Sequence, residues 1–225
     1  MTSLSVRHTN DSLLEVGVDE AGRGCLWGPL YAAAVIWPPE HEWLDEHREI
    51  APQIKDSKKL SAKKRAWLAE AIQSLAIDTG IGIVTPTEID SFGMSIANKL
   101  AFQRALDGLI VPPDRLLLDG ILPLEKEQLE KRNIQQQLTI VDGDATYLPI
   151  AAASILAKEA RDAYVKACVE KEPSLQTNYS IESSKGYGTE KHRKGILQYG
   201  KHTQHRDLFL RKLLGKTSDC LITDS

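Results

Sequence analysis

"VGVDEAGRG", residues 16–24, begins as an apolar strand, sets Asp19 and Glu20 at its mouth and ends in two glycines either side of Arg23. With the residues before it, "LLEVGVD" (13–19), it alternates and carries valines, as a half-buried strand does. Successive strand side chains point to opposite faces, so both acids reach one site only if the backbone bends after Asp19. Gly22 and Gly24 make a nearby bend easy.

Outward from this stretch, "YAAAVIW" (31–37) is a continuous apolar run closed by Pro38 and Pro39 and reads as a second strand. "SAKKRAWLAEAIQSL" (61–75) opens on a Ser cap and puts Trp67, Leu68, Ile72 and Leu75 on one helical face. "IDTGIGIVT" (77–85) is a third strand, and "GMSIANKLAFQRALDGLI" (93–110) is a helix through Ile96, Leu100, Leu106 and Leu109. "DRLLLDG" (114–120) and "QLTIVDGD" (137–144) are short strands, each ending in an acid and Gly. "PIAAASILAKEARDAYVKACVEKE" (149–172) is a long helix with Pro in its first turn and a stripe of Ile150, Ala153, Ala157, Ala160 and Tyr164. The order is an α/β layered pattern.

At 225 residues, 42% apolar and 26% charged, the chain fits one domain with a substantial core. No apolar run approaches the roughly 20 residues of a membrane span, and "MTSLSVRHTNDS" lacks a secretion signal, so a cytoplasmic protein without membrane contact is expected. Cys25, Cys168 and Cys220 are scattered and read as free thiols. The six histidines have no zinc-ligand spacing, and His192, His202 and His205 read as surface or phosphate-proximal. Net charge is −3, yet residues 185–216 carry +7 and residues 55–65 carry +5, which leaves −15 on the remainder. Basic segments on an acidic body can bring a polyanion to clustered carboxylates, although charge runs also serve as solvated helix faces.

Three strands end in acids: Asp19 with Glu20, Asp119, and Asp142 with Asp144. Singly, an acid before Gly is an ordinary turn signal. Together they point to chemistry, because ligands of open α/β sheets gather at strand ends. Carboxylates packed there repel one another unless a cation neutralises them, and a hard divalent ion with oxygen ligands does so.

The segments "VDEAGRGCLWGPL", "DSKKLS" (56–61), "LLLDG", "GDATYLPIAAASILAKEARD" (143–162) and "SKGYGTEKH" (184–192), in this order, resemble bacterial ribonuclease HII over about residues 13–206. The resemblance implies a ribonuclease H-like fold, with a central mixed sheet of about five strands flanked by helices and a C-terminal helical segment. It implies an endonuclease that hydrolyses the RNA strand of RNA/DNA hybrids and nicks duplex DNA 5′ of embedded ribonucleotides, leaving 3′-hydroxyl and 5′-phosphate ends. The family's metal-binding acids fall on Asp19, Glu20, Asp119 and Asp144, which would hold two Mg²⁺ or Mn²⁺ ions. Asp144 is preferred to Asp142 because it stands ten residues before Ser154 of "AAAS", the family's interval.

Gly22, Arg23 and Gly24 then match the segment whose main chain approaches the 2′-hydroxyl of the target ribonucleotide. Tyr187 matches the tyrosine that stacks on the following sugar. Lys58, Lys59, Lys185 and Arg193 are candidate phosphate contacts, and Ser154 joins the substrate-binding set. Arg23 separates the chain from the related ribonuclease HIII, which lacks that arginine and usually carries an added N-terminal domain. Where the family often shows HRxSF, this chain has "HRDLF" (205–209), with Leu208 for the serine. The expected layout is a loosely held segment 1–12, a catalytic core 13–172, a basic helical segment 173–215 on the same domain and a frayed tail 216–225. The expected protein is a monomer with a possible replication clamp as partner.

Overall fold

The computed structural model describes residues 4–219. Strands β1 (Glu15–Ala21) and β2 (Leu30–Ile36) are followed by α1 (Asp45–Ile50), α2 (Ala62–Leu75) and β3 (Asp78–Val84). Next come α3 (Pro86–Phe92), α4 (Met94–Asp107), β4 (Arg115–Asp119), α5 (Lys126–Glu130) and β5 (Gln136–Ile140). The chain closes with α6 (Leu148–Lys171), α7 (Ser174–Tyr179), α8 (Ile181–Ser184), α9 (Glu190–Tyr199) and α10 (Asp207–Asp219). The five strands form one sheet in the order β3-β2-β1-β4-β5. It is mixed: β1 pairs antiparallel with β2 and parallel with β4, and β4 pairs parallel with β5.

The chain divides into two compact units: residues 1–21, 31–83 and 98–160, and residues 22–30, 84–97 and 161–225. The first contains the sheet. One face of β2 (Ala33, Val35) packs with Leu68 and Ile72 of α2 and with Ala151, Ala152 and Ile155 of α6. Gly17 is what lets α6 lie so close to β1, because a Cβ there would stand 2.3 Å from the Pro149 carbonyl carbon. The segment before β1 is tied to the sheet as well. Arg115, only 2% exposed, pairs with Glu15 at 2.6 Å and with Asp11 at 2.5 Å, and Ser5 bridges to Tyr147.

The second unit has its own core of Trp27, Val165, Val169, Leu175, Tyr179, Ile181, Ile196 and Leu210. Its helix α3 is absent from the periodicity reading, although "TPTE" carries the signal: Thr85 and Glu88 cap each other and Pro86 opens the helix. At the other end, Asp90 of α3 accepts from the backbone N–H groups of Asp207 and Leu208 at 2.9 and 2.8 Å. The α10 N-terminus is thus satisfied by a carboxylate, and the Leu208 departure leaves that anchor intact.

Two expected core positions are exposed. Trp67 is 42% accessible and lies under the Lys64 ammonium, because the inward face of α2 is Arg65, Leu68, Ala69 and Ile72. Ile96 is 59% accessible. The buried face of α4 runs instead through Asn98, Ala101, Phe102 and Ala105, and the bare Gly80 and Gly82 of β3 let that strand approach the carbonyls of Ala105 and Ala101, where a Cβ would stand 2.0 Å away. Helix α10 continues through Asp219 into the expected frayed tail, and residues 220–225, Cys220 included, lie outside the described residues. Among the described residues no helix is long and apolar enough to cross a membrane.

Gly17→Ala places a methyl group against backbone that cannot rotate away. The variant should lose about 2–3 kcal/mol, read as a fall of about 5–10 °C in melting temperature; an unchanged melting temperature would mean that α6 slides freely on β1.

Candidate active site

Val18 of β1 and Leu118 of β4 stand in register on parallel neighbouring strands. The next residue on each is an acid, so Asp19 and Asp119 emerge side by side at the same end of the sheet. Asp144 sits one short connection beyond β5, on the 3₁₀ turn Gly143–Ala145. It is buried, whereas Asp142 is exposed and holds a left-handed backbone at φ 53°.

Glu20 reaches the group differently from expectation. There is no bend after Asp19: β1 pairs with β2 as far as Ala21 opposite Tyr31, so the ladder holds residues 20 and 21 in strand geometry. The pleat therefore turns the Glu20 side chain to the other face, where Asn98 Nδ2 of α4 donates to it at 3.5 Å. The turn comes at Gly22, with φ +90°.

Electrostatics mark these acids as one cluster. Burial is the main cause that raises the Asp19 carboxyl well above the usual range, and the charges of Glu20 and Asp119 push it further, against a hydrogen bond from Ser154. Burial also raises Asp144, with Asp119 and Asp56 adding to the shift and Lys58 opposing it. Backbone and side-chain donors hold the cluster in place. The Gly143 N–H donates to Asp119 at 2.8 Å, the Glu20 N–H to Asp19 at 2.6 Å, and Ser154 joins Ser57 at 3.0 Å across two buried hydroxyls. Ser57, Asp56 and Asn98 are site neighbours that the sequence reading left unassigned; Ser57 and Asp56 lie within the quoted "DSKKLS", and only their polar character beside Lys58 signals them.

As the side chains lie, no three His, Cys, Asp or Glu groups among the described residues stand at ligand spacing. The donor set is nevertheless all carboxylate oxygen, which suits a hard divalent ion, and the mutual repulsion of buried acids is what such an ion relieves. Lys58 and Lys59 are exposed, and Lys59 lies 3.4 Å from Asp56.

The second unit holds the remaining candidates. Cys25 and Tyr187 form an antiparallel bridge, backed by Leu26 N–H to the Gly186 carbonyl at 2.9 Å. The loop is shaped by two buried arginines. Arg161 donates to the carbonyls of Lys185, Trp27 and Pro29 at 2.7, 3.1 and 3.3 Å. Arg206 donates to those of Gly28, Gly22 and Arg23 at 2.8, 2.8 and 3.1 Å, and burial lowers its pKa to about 10. Gly22 has to be glycine, because a Cβ would meet Arg161 Nε at 2.1 Å. Gly24 has room for one, with only Tyr187 Cε1 nearby at 3.9 Å. Arg23, Gly24 and Arg193 are exposed, Lys185 is half-buried, and Tyr187 is 44% accessible. His192 and His205, expected at the surface, are 0% and 3% accessible because α9 and the segment before α10 turn them into the interior.

A mixed five-stranded sheet of this order with helices around it, and acids at its strand ends, places the chain among the ribonuclease H-like proteins. The family model for ribonuclease HII matches residues 16–212. A ribonuclease HII of Synechococcus sp. (strain CC9902) is 43% identical over 199 residues, 88% of this chain and 93% of that protein. The crystal structure of the ribonuclease H2 from Pyrococcus horikoshii OT3 superposes with a TM-score of 0.68 at 26% identity, covering 91% of this chain and 98% of that one. An Archaeoglobus fulgidus RNase HII, solved in complex with PCNA, gives 0.68 at 27% identity over 87% and 94% of the two chains. The chain belongs to the ribonuclease HII family, and it is an enzyme of that family.

Asp19→Asn keeps the oxygen that accepts from the Glu20 N–H and removes one charge from the cluster. In chelator at neutral pH the variant should gain on the order of 1 kcal/mol and melt about 2–4 °C higher than the parent. Calorimetry showing a lower melting temperature would overturn the account of the cluster as mutually repelling.

Proposed function

We propose that the protein is an endonuclease that hydrolyses the RNA strand of RNA/DNA hybrids and nicks duplex DNA 5′ of embedded ribonucleotides, leaving 3′-hydroxyl and 5′-phosphate ends. The observation that carries this reading is the side-by-side emergence of Asp19 and Asp119 from parallel strands, with Asp144 and Glu20 in electrostatic reach. In this reading Asp19, Glu20, Asp119 and Asp144 are the catalytic and metal-holding residues. Bound Mg²⁺ or Mn²⁺, two ions in the catalytic complex, supplies activation of water and stabilisation of the leaving 3′ oxygen.

The chain's own groups keep the carboxylates in place. Ser154 and the Glu20 N–H hold Asp19, and the Gly143 N–H holds Asp119. Fixed donors of this kind keep ligand oxygens oriented without reorganisation during the reaction. Lys58, Lys59, Lys185 and Arg193 contact phosphates, which positions a duplex without reading its sequence. The exposed Arg23 and Gly24 present main chain to a 2′-hydroxyl, and room for a Cβ at Gly24 means that its bareness serves a ligand rather than the fold. The half-exposed Tyr187 ring stacks on the next sugar. The protein acts as a cytoplasmic monomer, and the clamp complex of the Archaeoglobus relative supports a sliding clamp as a further partner.

Two pairs of measurements test the assignment. Asp144→Asn should reduce Mg²⁺-dependent nicking of a labelled duplex with one ribonucleotide by about a hundredfold or more, while Asp142→Asn stays near the parent; damage falling on Asp142 instead would shift the site by two residues. Tyr187→Ala should weaken single-ribonucleotide cleavage about tenfold more than continuous-hybrid cleavage, the scale of one lost stacking contact. Equal losses on both substrates would make Tyr187 a structural residue.

A further inference from the structure

The second unit contains a chain of three histidines whose proton positions are set by unambiguous partners. His205 Nδ1 accepts from the backbone N–H of His202 at 2.7 Å, so its own proton is on Nε2. That Nε2 lies 2.9 Å from Nε2 of His192, which must therefore accept. His192 then carries its proton on Nδ1 and donates it, at 2.9 Å, to the carbonyl of Tyr187. His202 is settled in the same way: its Nδ1 accepts from Trp27 Nε1 and from the Gln204 N–H, both at 3.2 Å, and its Nε2 donates to Glu172 at 3.2 Å.

A second proton has no place in this chain. On His205 Nδ1 it would point at the His202 N–H, and on His192 Nε2 it would point at the His205 N–H. We propose that His192 and His205 are positioning residues for Tyr187: as a neutral hydrogen-bonded pair they keep the His192 Nδ1–H on the carbonyl of Tyr187, and a proton added to either ring sets two N–H groups against each other, so that the rings part and the Tyr187 segment is released with them.

The surroundings favour the neutral pair. The rings of Tyr179 of α7 and His205 meet edge to face at 5.2 Å, and the Trp27 ring lies tilted against His202 at 6.2 Å. The Asp207 carboxylate of α10 favours a charge on His205, but it is engaged by Lys201 at 2.8 Å. Glu172 reaches His202. Around the Tyr187 side chain stand Cys25, Arg161 and Asp162. Burial lowers both histidines, His205 to about 3 with His192 and His202 adding to the effect. Because the folded-state values are depressed, the pair contributes stability that is fully present above the unfolded value of about 6.5 and is lost as pH falls below it.

What opens is defined by the other bonds of the segment. The Tyr187 carbonyl also accepts from the Thr189 N–H at 2.8 Å, and the Tyr187 N–H donates to the Ser184 carbonyl at 3.0 Å. Lys185 and Gly186 both hold positive φ, at 52° and 78°. A turn with this backbone depends on its hydrogen bonds, so losing the His192 bond loosens the residues that present the Tyr187 ring.

The functional consequence rests on the reading of Tyr187 as the sugar-stacking residue, and the test separates the two. Hydrogen exchange of the full protein is measured between pH 5 and 7.5, with correction for the intrinsic rate. Amides 185–192 should lose protection below about pH 6.5, by up to tenfold per pH unit for each histidine that takes up a proton on opening, while amides of β1 keep theirs. His192→Gln, which cannot titrate, should flatten that dependence; in parallel, the parent's KM for a single-ribonucleotide duplex should rise as pH falls while its KM for a continuous hybrid changes less. Unchanged protection of 185–192 between pH 5 and 7.5, or parallel loss in β1, overturns the proposal. Loosening of 185–192 without any change in substrate preference supports the histidine pair and counts against the Tyr187 reading alone.

Discussion

The parallel pairing of β1 with β4 is the constraint on which the first unit depends. With Val18 opposite Leu118, the next residue on each strand is an acid, and no side-chain rotation can carry Asp19 and Asp119 far apart. Between the Glu15–Arg115 ion pair and the acids the two strands are buried and apolar, so the sheet itself stabilises an arrangement that the carboxylates oppose. Helix α6 is held against the same strand through the bare Gly17, and this puts Ser154 within reach of Asp19. A small residue in a strand and a hydroxyl in a helix thus serve one carboxylate.

The second unit is organised by cations rather than acids. Arg161 and Arg206 are 1% and 0% exposed, and both donate to main-chain carbonyls, of residues 22–29 and 185. A buried guanidinium must have its donors satisfied, so the loop carbonyls converge on it and the loop path follows. Among the described residues Arg206 Nη2 is the exception, with no hydrogen-bond partner. The same carbonyl arrangement turns Arg23 and Gly24 outward and explains why Gly22 cannot carry a side chain.

Much of this was legible in the chain. Strand alternation, the Ser61 cap and the Pro149 start located β1, α2 and α6 to within a residue or two, since each depends on local geometry. The acids at strand ends were visible as types. Less legible were Trp67 and Ile96, which periodicity placed inside, because which face of an amphipathic helix is covered depends on what packs against it. His192 and His205 went the other way: a basic surrounding sequence suggested solvent, while α9 and the segment before α10 carry them into the interior.

By itself the sequence determined the order of the five strands with α2, α4 and α6, the supply of carboxylates at strand ends and the family, because these follow from local periodicity and from motifs read in line. Only the tertiary structure decided that Glu20 leaves the strand on the opposite face from Asp19, that Asp144 is buried while Asp142 faces solvent, and that Arg161, Arg206, His192 and His205 bind backbone in an interior. Those outcomes depend on pairing register and on which groups are removed from water together, and both are set by residues up to about 180 positions apart in the chain, as with Arg206 and Gly22.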